Sequence, residues 1–477
     1  MKQNNVLMIL FCIPFLLVLV LLNQGIFHYD AIVLAQAVEK TYETRTLQPA
    51  INGRYGSVIL ASVIYFPFWV FGQTADLATR LMSAFFYAAR IPAAYLFLQS
   101  LYKNKLIGIF GALMFAAMPM YLSPNTFGKE HGVALFFVFS SFYFLLVGLQ
   151  RQETKKVFWA AVLLIISHTV REATLFFVPF SLCITFFTKT GLTKRQRIFA
   201  SVIPYVLMFF ILNVLYFDFI VTKTLFPEQA GTAYFYPRQE LRTQAINAIQ
   251  KTTSFLFPLL AGVGVLAGLF VKKTRFPTFF MTCMLVGSFF LFAHISTFAP
   301  RYLDVTLFSI SALAATALFF LHERSKMAAW IIVVVICLSS LLFITPLLWA
   351  RHTMNGQVAV GNWIQENTSS NALIITQDDA PFISYYGKRR MRGPPIKNLT
   401  ASVLFMQDLE NEIKAGIPVY LTVSGLFDDP EEINKNLFHK YFILNMTAKI
   451  LSEDFHNAEI ERQRYYQIIW QLTSRVR

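Results

Sequence analysis

The chain has 477 residues, 56% of them hydrophobic and only 14% charged, with 50 phenylalanines and a formal net charge of +15. A soluble protein of this length carries far more charge, so the composition excludes an ordinary globular enzyme and points to apolar helices buried in a bilayer. The basic excess lies wholly in residues 1–350, with 27 basic against 12 acidic side chains, while 351–477 balances 14 against 14; this distribution argues against a nucleic-acid partner and for basic loops on the cytoplasmic side of membrane spans.

The first predicted element is an apolar run over 6–23, long enough to cross a bilayer. No small-x-small cleavage site follows it, so it reads as an uncleaved span. His28-Tyr29-Asp30 comes next. Ala31, Leu34, Ala35 and Val38 then recur at the spacing of an amphipathic helix lying on the membrane surface. Asp30 has two readings: a general base for an acceptor hydroxyl, or the N-cap of that helix. Arg54 and Tyr55 lead into a further apolar stretch, 56–72, which is short and interrupted by Pro67. It is expected to lie at the interface or to turn back inside a long outer loop, 24–78. Further spans are predicted near 79–101, 106–121, 132–150, 157–170, 174–188, 198–216, 253–271, 277–295, 303–321 and 328–349, giving about eleven with a cytoplasmic N-terminus.

In this topology the N-terminus, 102–105, 151–156, 189–197, 272–276 and 322–326 share one side and carry 15 Lys and Arg with two Glu. The short loops 122–131, 171–173 and 296–302 on the other side carry only Lys129, Arg171 and Arg301 as basic residues, the bias expected of a cytoplasmic N-terminus. Asp30, Arg54, Arg80, Glu130, Arg171 and Arg301 then all reach the outer face. Ionisable groups at membrane depth are costly and usually line a pathway or a site, so six together suggest one polar site.

Each candidate has an alternative. Arg80 lies near the outer end of its span and Arg90 halfway along it, facing the bundle. Glu130 and His131 open a span, where a carboxylate meets the positive helix end, and capping is the simpler role. With His28 and Asp30 they form an oxygen and nitrogen set for a possible divalent metal, without the spacing of a metal motif. Arg171, between two short apolar runs, is a cavity cation or the partner of Glu172 in a local turn. Arg301-Tyr302 follows Pro300; its guanidinium suits bidentate phosphate binding, or the pair snorkels to the headgroups. The outer loop 217–252 holds Tyr234, Tyr236, Arg238 and Arg242 and is either a lid or, the favoured reading, an amphipathic surface helix over 238–250. The four cysteines, Cys12, Cys183, Cys283 and Cys337, all fall in apolar runs, and no disulfide framework is expected.

Beyond 350 the composition turns ordinary. Strands are predicted at 373–378, 417–423, 442–450 and 465–472, and helices at 401–414 and 430–441. The chain therefore divides into a membrane helix bundle, 1–350, and a small α/β soluble domain, 351–477, on the outer face. Asp378-Asp379 ends the first of these strands.

Four passages resemble the GT-C superfamily of polytopic glycosyltransferases, above all the branch holding the protein mannosyltransferases and the lipid A aminoarabinose transferase. They are His28-Tyr29-Asp30 at the head of a long first outer loop; Ala78-Thr79-Arg80-Leu81-Met82-Ser83-Ala84, like an Arg-Leu-x-Ser opening of span two; the run from Lys105 through Pro119 to Glu130; and Pro300-Arg301-Tyr302 before a late span. His168–Ala173 is similar to the basic turn of the family's short hairpin, and Asn362–Arg390 to the outer domain of some relatives. The second loop differs, with Glu130-His131 where relatives often have an aspartate.

The resemblance implies an inverting hexosyl- or pentosyltransferase at the non-cytoplasmic face of a bacterial or archaeal plasma membrane. The donor would be a polyprenyl-phosphate-linked sugar and the acceptor a lipid, glycan or protein. Asp30 would be the base or acceptor carboxylate and Glu130 the second acid. Arg301, Arg80, Arg171 and Arg54 would face the donor phosphate, and His28, Tyr55, His131 and Tyr302 would line the cavity. A polyprenyl phosphate leaves without being protonated, so cations at the phosphate matter most. The alternatives are a transporter or flippase of lipid-linked glycans, and a non-catalytic scaffold for envelope assembly. No internal repeat of the transporter kind is visible.

Overall fold

A computed structural model describes residues 3–26, 29–50, 54–119, 122, 128–188, 190–215, 243, 246–247, 249, 256–292, 303–353, 356–377, 379–427, 429, 431–456 and 461–475. Among the described residues each predicted span overlaps a helix. The helices are α1 (Gln3–Val20), α2 (Tyr29–Thr44), α3 (Tyr55–Val70), α4 (Ala75–Tyr102), α5 (Lys105–Ala116), α6 (His131–Arg151), α7 (Thr154–Val170), α8 (Phe177–Phe187), α9 (Lys194–Leu215), α10 (Leu256–Phe270), α11 (Arg275–Phe292), α12 (Asp304–Arg324) and α13 (Lys326–Thr353). Among the described residues five helices, α1, α4, α6, α12 and α13, are long and apolar enough to cross a membrane; α3, α5, α10 and α11 are apolar but shorter.

Tight turns make successive helices antiparallel. Lys103 takes a left-handed conformation (φ 51°) to end α4, and the Asn104 side chain caps α5 by accepting from the Leu106 and Ile107 amides. Gln152, also left-handed (φ 60°), turns α6 into α7. The apolar windows of α12, α4 and α6 are 78, 72 and 67% buried, against 22% for α1 and 33% for α13, so the first three form the inner core. Phenylalanines fill that core: Phe139 of α6 and Phe308 of α12 approach to 4.3 Å between ring centroids, and Phe97 of α4 and Phe115 of α5 border them. Gly264 lets α10 cross α12 closely, because a Cβ there would lie 1.8 Å from the Leu313 carbonyl oxygen. Met8, Ile13 and Leu16 of α1 and Met327 and Leu342 of α13 stay exposed, an apolar surface suited to lipid.

α6 begins, α7 ends and α12 begins at one end of the bundle. The starts of α2 and α4 lie there too, since Gly128 packs against Ala31 and Arg80. Ser57, in the first turn of α3, donates to the Val170 carbonyl at the end of α7 (3.0 Å), and the four residues after α3 feed directly into α4. α3 therefore leaves and returns at a single end of the bundle. α2 lies along it, with the Tyr42 hydroxyl donating to the Ser62 carbonyl at 2.7 Å.

After α14 (Gly356–Asn367) the C-terminal part forms a five-stranded sheet in the order β2-β1-β3-β5-β4. Its strands are β1 (Leu373–Ile375), β2 (Arg390–Arg392), β3 (Val419–Thr422), β4 (Phe442–His456) and β5 (Glu461–Ser474). The first three pair in parallel, while β5 runs antiparallel to both β3 and β4. Helices α15 (Leu399–Lys414) and α16 (Ile433–Tyr441) cover one face through Phe405, Met406, Leu409 and Phe438. Each predicted strand and helix overlaps an observed one, and α14 and β2 are additions. A π-helical turn, Ile383–Gly387, connects this domain to the bundle: Phe382 and Tyr385 join a core cluster with Ile26, Ala31, Ala75 and Ala78.

Candidate functional site

The segment before α6 organises the polar end of the bundle. Gly128 has φ +96°, a backbone that favours glycine, and a Cβ there would sit at contact distance from Ala31 Cβ (3.5 Å) and Arg80 Cγ (3.6 Å). The turn delivers Lys129 to a fully buried position, where Ser83 Oγ donates to its carbonyl and its ammonium pairs with the carboxylate of Asp30, in the first turn of α2. Glu130, next in the chain, is also buried. Its side chain makes no cap for α6 and instead pairs with Arg54, just before α3. His131 Nδ1 faces Asp304 Oδ2 at 3.2 Å and links the start of α6 to the start of α12.

Arg80 packs beneath Gly128. Its Nε donates to Asp76 Oδ1, one turn earlier on α4, and its Nη1 donates to the Asn23 carbonyl after α1. Arg171 is buried at the end of α7, with extended backbone (φ −155°). It lies beside the first turn of α3, where a Cβ on Gly56 would come within 2.9 Å of the Val170 nitrogen, and Tyr55 opens that turn. Arg90 is wholly buried lower in α4, its guanidinium 4.8 Å from the Tyr87 ring and 5.2 Å from the Phe115 ring.

The described residues thus bring together Asp30, Arg54, Arg80, Glu130 and His131, with Arg171 and Tyr55 beside them. His28, Arg301, Tyr302 and Asp378 lie outside the described residues, as does most of loop 217–252. Sequence reasoning missed Lys129, Asp76 and Asp304 as partners. The Asp76–Arg80 pair had a local signal, the i, i+4 helical spacing.

Asp30 and Glu130 face Lys129 and Arg54, and His131 faces Asp304. Among the described residues no three His, Cys, Asp or Glu side chains group to hold a metal ion. Of the expected set of His28, Asp30, Glu130 and His131, the three described members are each turned to a different protein partner, and His28 lies outside the described residues. Fixed charge pairs in a low-dielectric setting form a preorganised field.

No family model matches the chain, and no curated protein sequence matches it. Solved structures do. An ArnT from Cupriavidus metallidurans, bound to undecaprenyl phosphate, aligns over 97% of both chains with a TM-score of 0.60 and 12% identity. The Archaeoglobus fulgidus oligosaccharyltransferase aligns over 93% of this chain and 73% of its own, with a TM-score of 0.59 and 13% identity. The mycobacterial arabinofuranosyltransferase AftD aligns over 99% of this chain and 40% of its own, with a TM-score of 0.54 and 13% identity. Identities this low carry the fold alone, and the chain shares that fold with these three transferases over most of its length.

Proposed function

We propose that the chain is an integral membrane glycosyltransferase that moves a sugar from a polyprenyl-phosphate donor to a lipid, glycan or protein acceptor at the non-cytoplasmic face. The observation that carries this reading is the meeting of Asp30–Lys129, Arg54–Glu130 and Arg80 at one end of a bundle with the GT-C fold. The loop charges support the outward orientation of that end. The undecaprenyl phosphate in the ArnT structure and the dolichol-phosphate complexed with the Archaeoglobus enzyme support a donor of this class.

In this reading Asp30 accepts the proton of the acceptor hydroxyl as the acceptor oxygen bonds to the anomeric carbon. The bond from that carbon to the phosphate oxygen breaks with inversion, and polyprenyl phosphate leaves with one more negative charge than the donor phosphodiester had. Arg80, Arg54, Arg171 and Arg301 face that growing charge, and Glu130 holds Arg54 in place. Residues 1–350 form the transferase bundle and 351–477 the outer domain. The test is transfer from a labelled polyprenyl-phosphate sugar by the purified chain in nanodiscs. Asp30→Asn and Arg301→Ala abolish it while both variants insert normally; full activity in both removes these assignments.

A further inference from the structure

Two adjacent tyrosines of the π-helical turn reach from the C-terminal domain into the bundle. The Tyr386 hydroxyl donates to Asp76 Oδ2 at 2.9 Å and accepts from the Ile26 amide at 2.8 Å. Asp76 uses its other oxygen to hold Arg80 Nε, and Arg80 also donates to the Asn23 carbonyl. The Tyr385 hydroxyl donates to Glu39 Oε1 at 2.7 Å, and the same oxygen accepts the Ala75 amide at the start of α4. Gly25 makes room: with φ +99°, a Cβ there would lie 2.7 Å from Val358 and 3.0 Å from the Tyr386 hydroxyl. π-helical turns are rare, and they often occur at functional sites.

We infer that Tyr386 is a positioning residue of the transferase site: through Asp76 it sets the orientation of Arg80, which makes the C-terminal domain part of the donor-phosphate site. The inference rests on the glycosyltransferase reading above, in which Arg80 faces the donor phosphate. Arg80 has four rotatable side-chain bonds, and Asp76 and the Asn23 carbonyl together fix its fork. Asp76 is in turn held by Tyr386, so removing one hydroxyl loosens the anchor without touching the arginine. Burial, and next the Asp76 carboxylate, push the Tyr386 hydroxyl well above the usual tyrosine range, so it stays protonated and able to donate.

The test uses the full chain in nanodiscs, with a polyprenyl-phosphate-linked labelled sugar and initial rates over a range of donor concentrations. Tyr386→Phe is expected to lower kcat/KM for the donor about tenfold, the size of one hydrogen bond to a charged group, with unchanged expression and an unchanged monodisperse peak. In an Arg80→Ala background the same substitution costs less than about twofold, because the group it positions is gone. Tyr385→Phe, which removes the neighbouring contact to Glu39, leaves donor kinetics unchanged. Equal losses from Tyr386→Phe in both backgrounds, or no loss in the wild-type background while Arg80→Ala is inactive, overturn the positioning role alone. Full activity in Arg80→Ala overturns the reading of Arg80 on which that role depends.

Discussion

Substituting the two members of the Asp30–Lys129 pair separates its contribution to stability from its contribution to chemistry. Lys129 has no exposed side-chain surface, while the Asp30 side chain is 24% exposed. Asp30→Asn leaves a deeply buried ammonium without its carboxylate, and breaking a buried pair from one side costs about 3–5 kcal/mol. Lys129→Met leaves a carboxylate that still meets some water, so its cost should be smaller, about 2–3 kcal/mol. The double variant Asp30→Asn/Lys129→Met removes both charges of this pair and should return to within about 1–2 kcal/mol of the parent. Thermal unfolding in detergent, followed by intrinsic fluorescence, gives the order: parent, double variant, Lys129→Met, Asp30→Asn. The double variant, though stable, is expected to transfer no sugar, because it lacks the proposed base. An Asp30→Asn protein as stable as the parent, or a double variant less stable than Asp30→Asn, would refute the pairing argument.

Further outcomes follow from other parts of the structure. Arg54→Met should destabilise by about 3 kcal/mol through the buried Glu130 it leaves behind, and Glu130→Gln added to it should recover most of that loss in the same assay. Gly264→Val should prevent α10 from seating on α12, so most of the protein should leave the monodisperse peak in size-exclusion chromatography. Burial first, then Glu39 for Tyr385 and Asp76 for Tyr386, raise both hydroxyls above the ordinary tyrosine value of 10.0. A raised folded-state value means that the folded protein holds its proton longer than the unfolded chain does. The contribution to stability is therefore full below about pH 10 and is lost as pH rises past it. Protease resistance of the C-terminal domain should accordingly stay level across about pH 6–9 and fall above about pH 10, with a smaller fall in the Tyr385→Phe/Tyr386→Phe variant. Cysteines placed at Gln48 and at Gln73, before and after α3, should both react with an impermeant thiol reagent applied from outside the cell, in a background lacking the four native cysteines.

Much of the fold was legible because apolar runs and helix periodicity are local signals. The α4 helix could be read from its long, mainly apolar run, and β1, β3, β4 and β5 from short β-branched and aromatic segments. Strand β2 was not legible, because Arg390–Arg392 has neither apolar alternation nor β-branched residues and is specified only by its parallel partner β1. The β4–β5 hairpin runs 15 and 14 residues, past the predicted ends, through polar stretches such as Ser452-Glu453-Asp454 that pairing rather than composition keeps extended. At the site, single charges could be picked out because an ionisable residue between apolar runs is conspicuous. Their partners could not: Lys129 and Asp30 are 99 residues apart, and His131 and Asp304 are 173 apart. No sequence spacing foretells such a meeting; it follows from which helices share an end of the bundle. Glu130 illustrates the consequence, since its place before a helix suggested a cap, whereas the nearby Arg54 makes it half of an ion pair.

The central claim is that this end of the bundle recognises the phosphate of a polyprenyl phosphate. Binding of undecaprenyl phosphate and of undecaprenol to the purified chain, compared side by side by native mass spectrometry from nanodiscs, tests it without knowledge of the sugar. The account predicts that the phosphate lipid is retained in preference to the alcohol and that Arg80→Ala removes the preference. Equal retention of both lipids by the parent chain would contradict it.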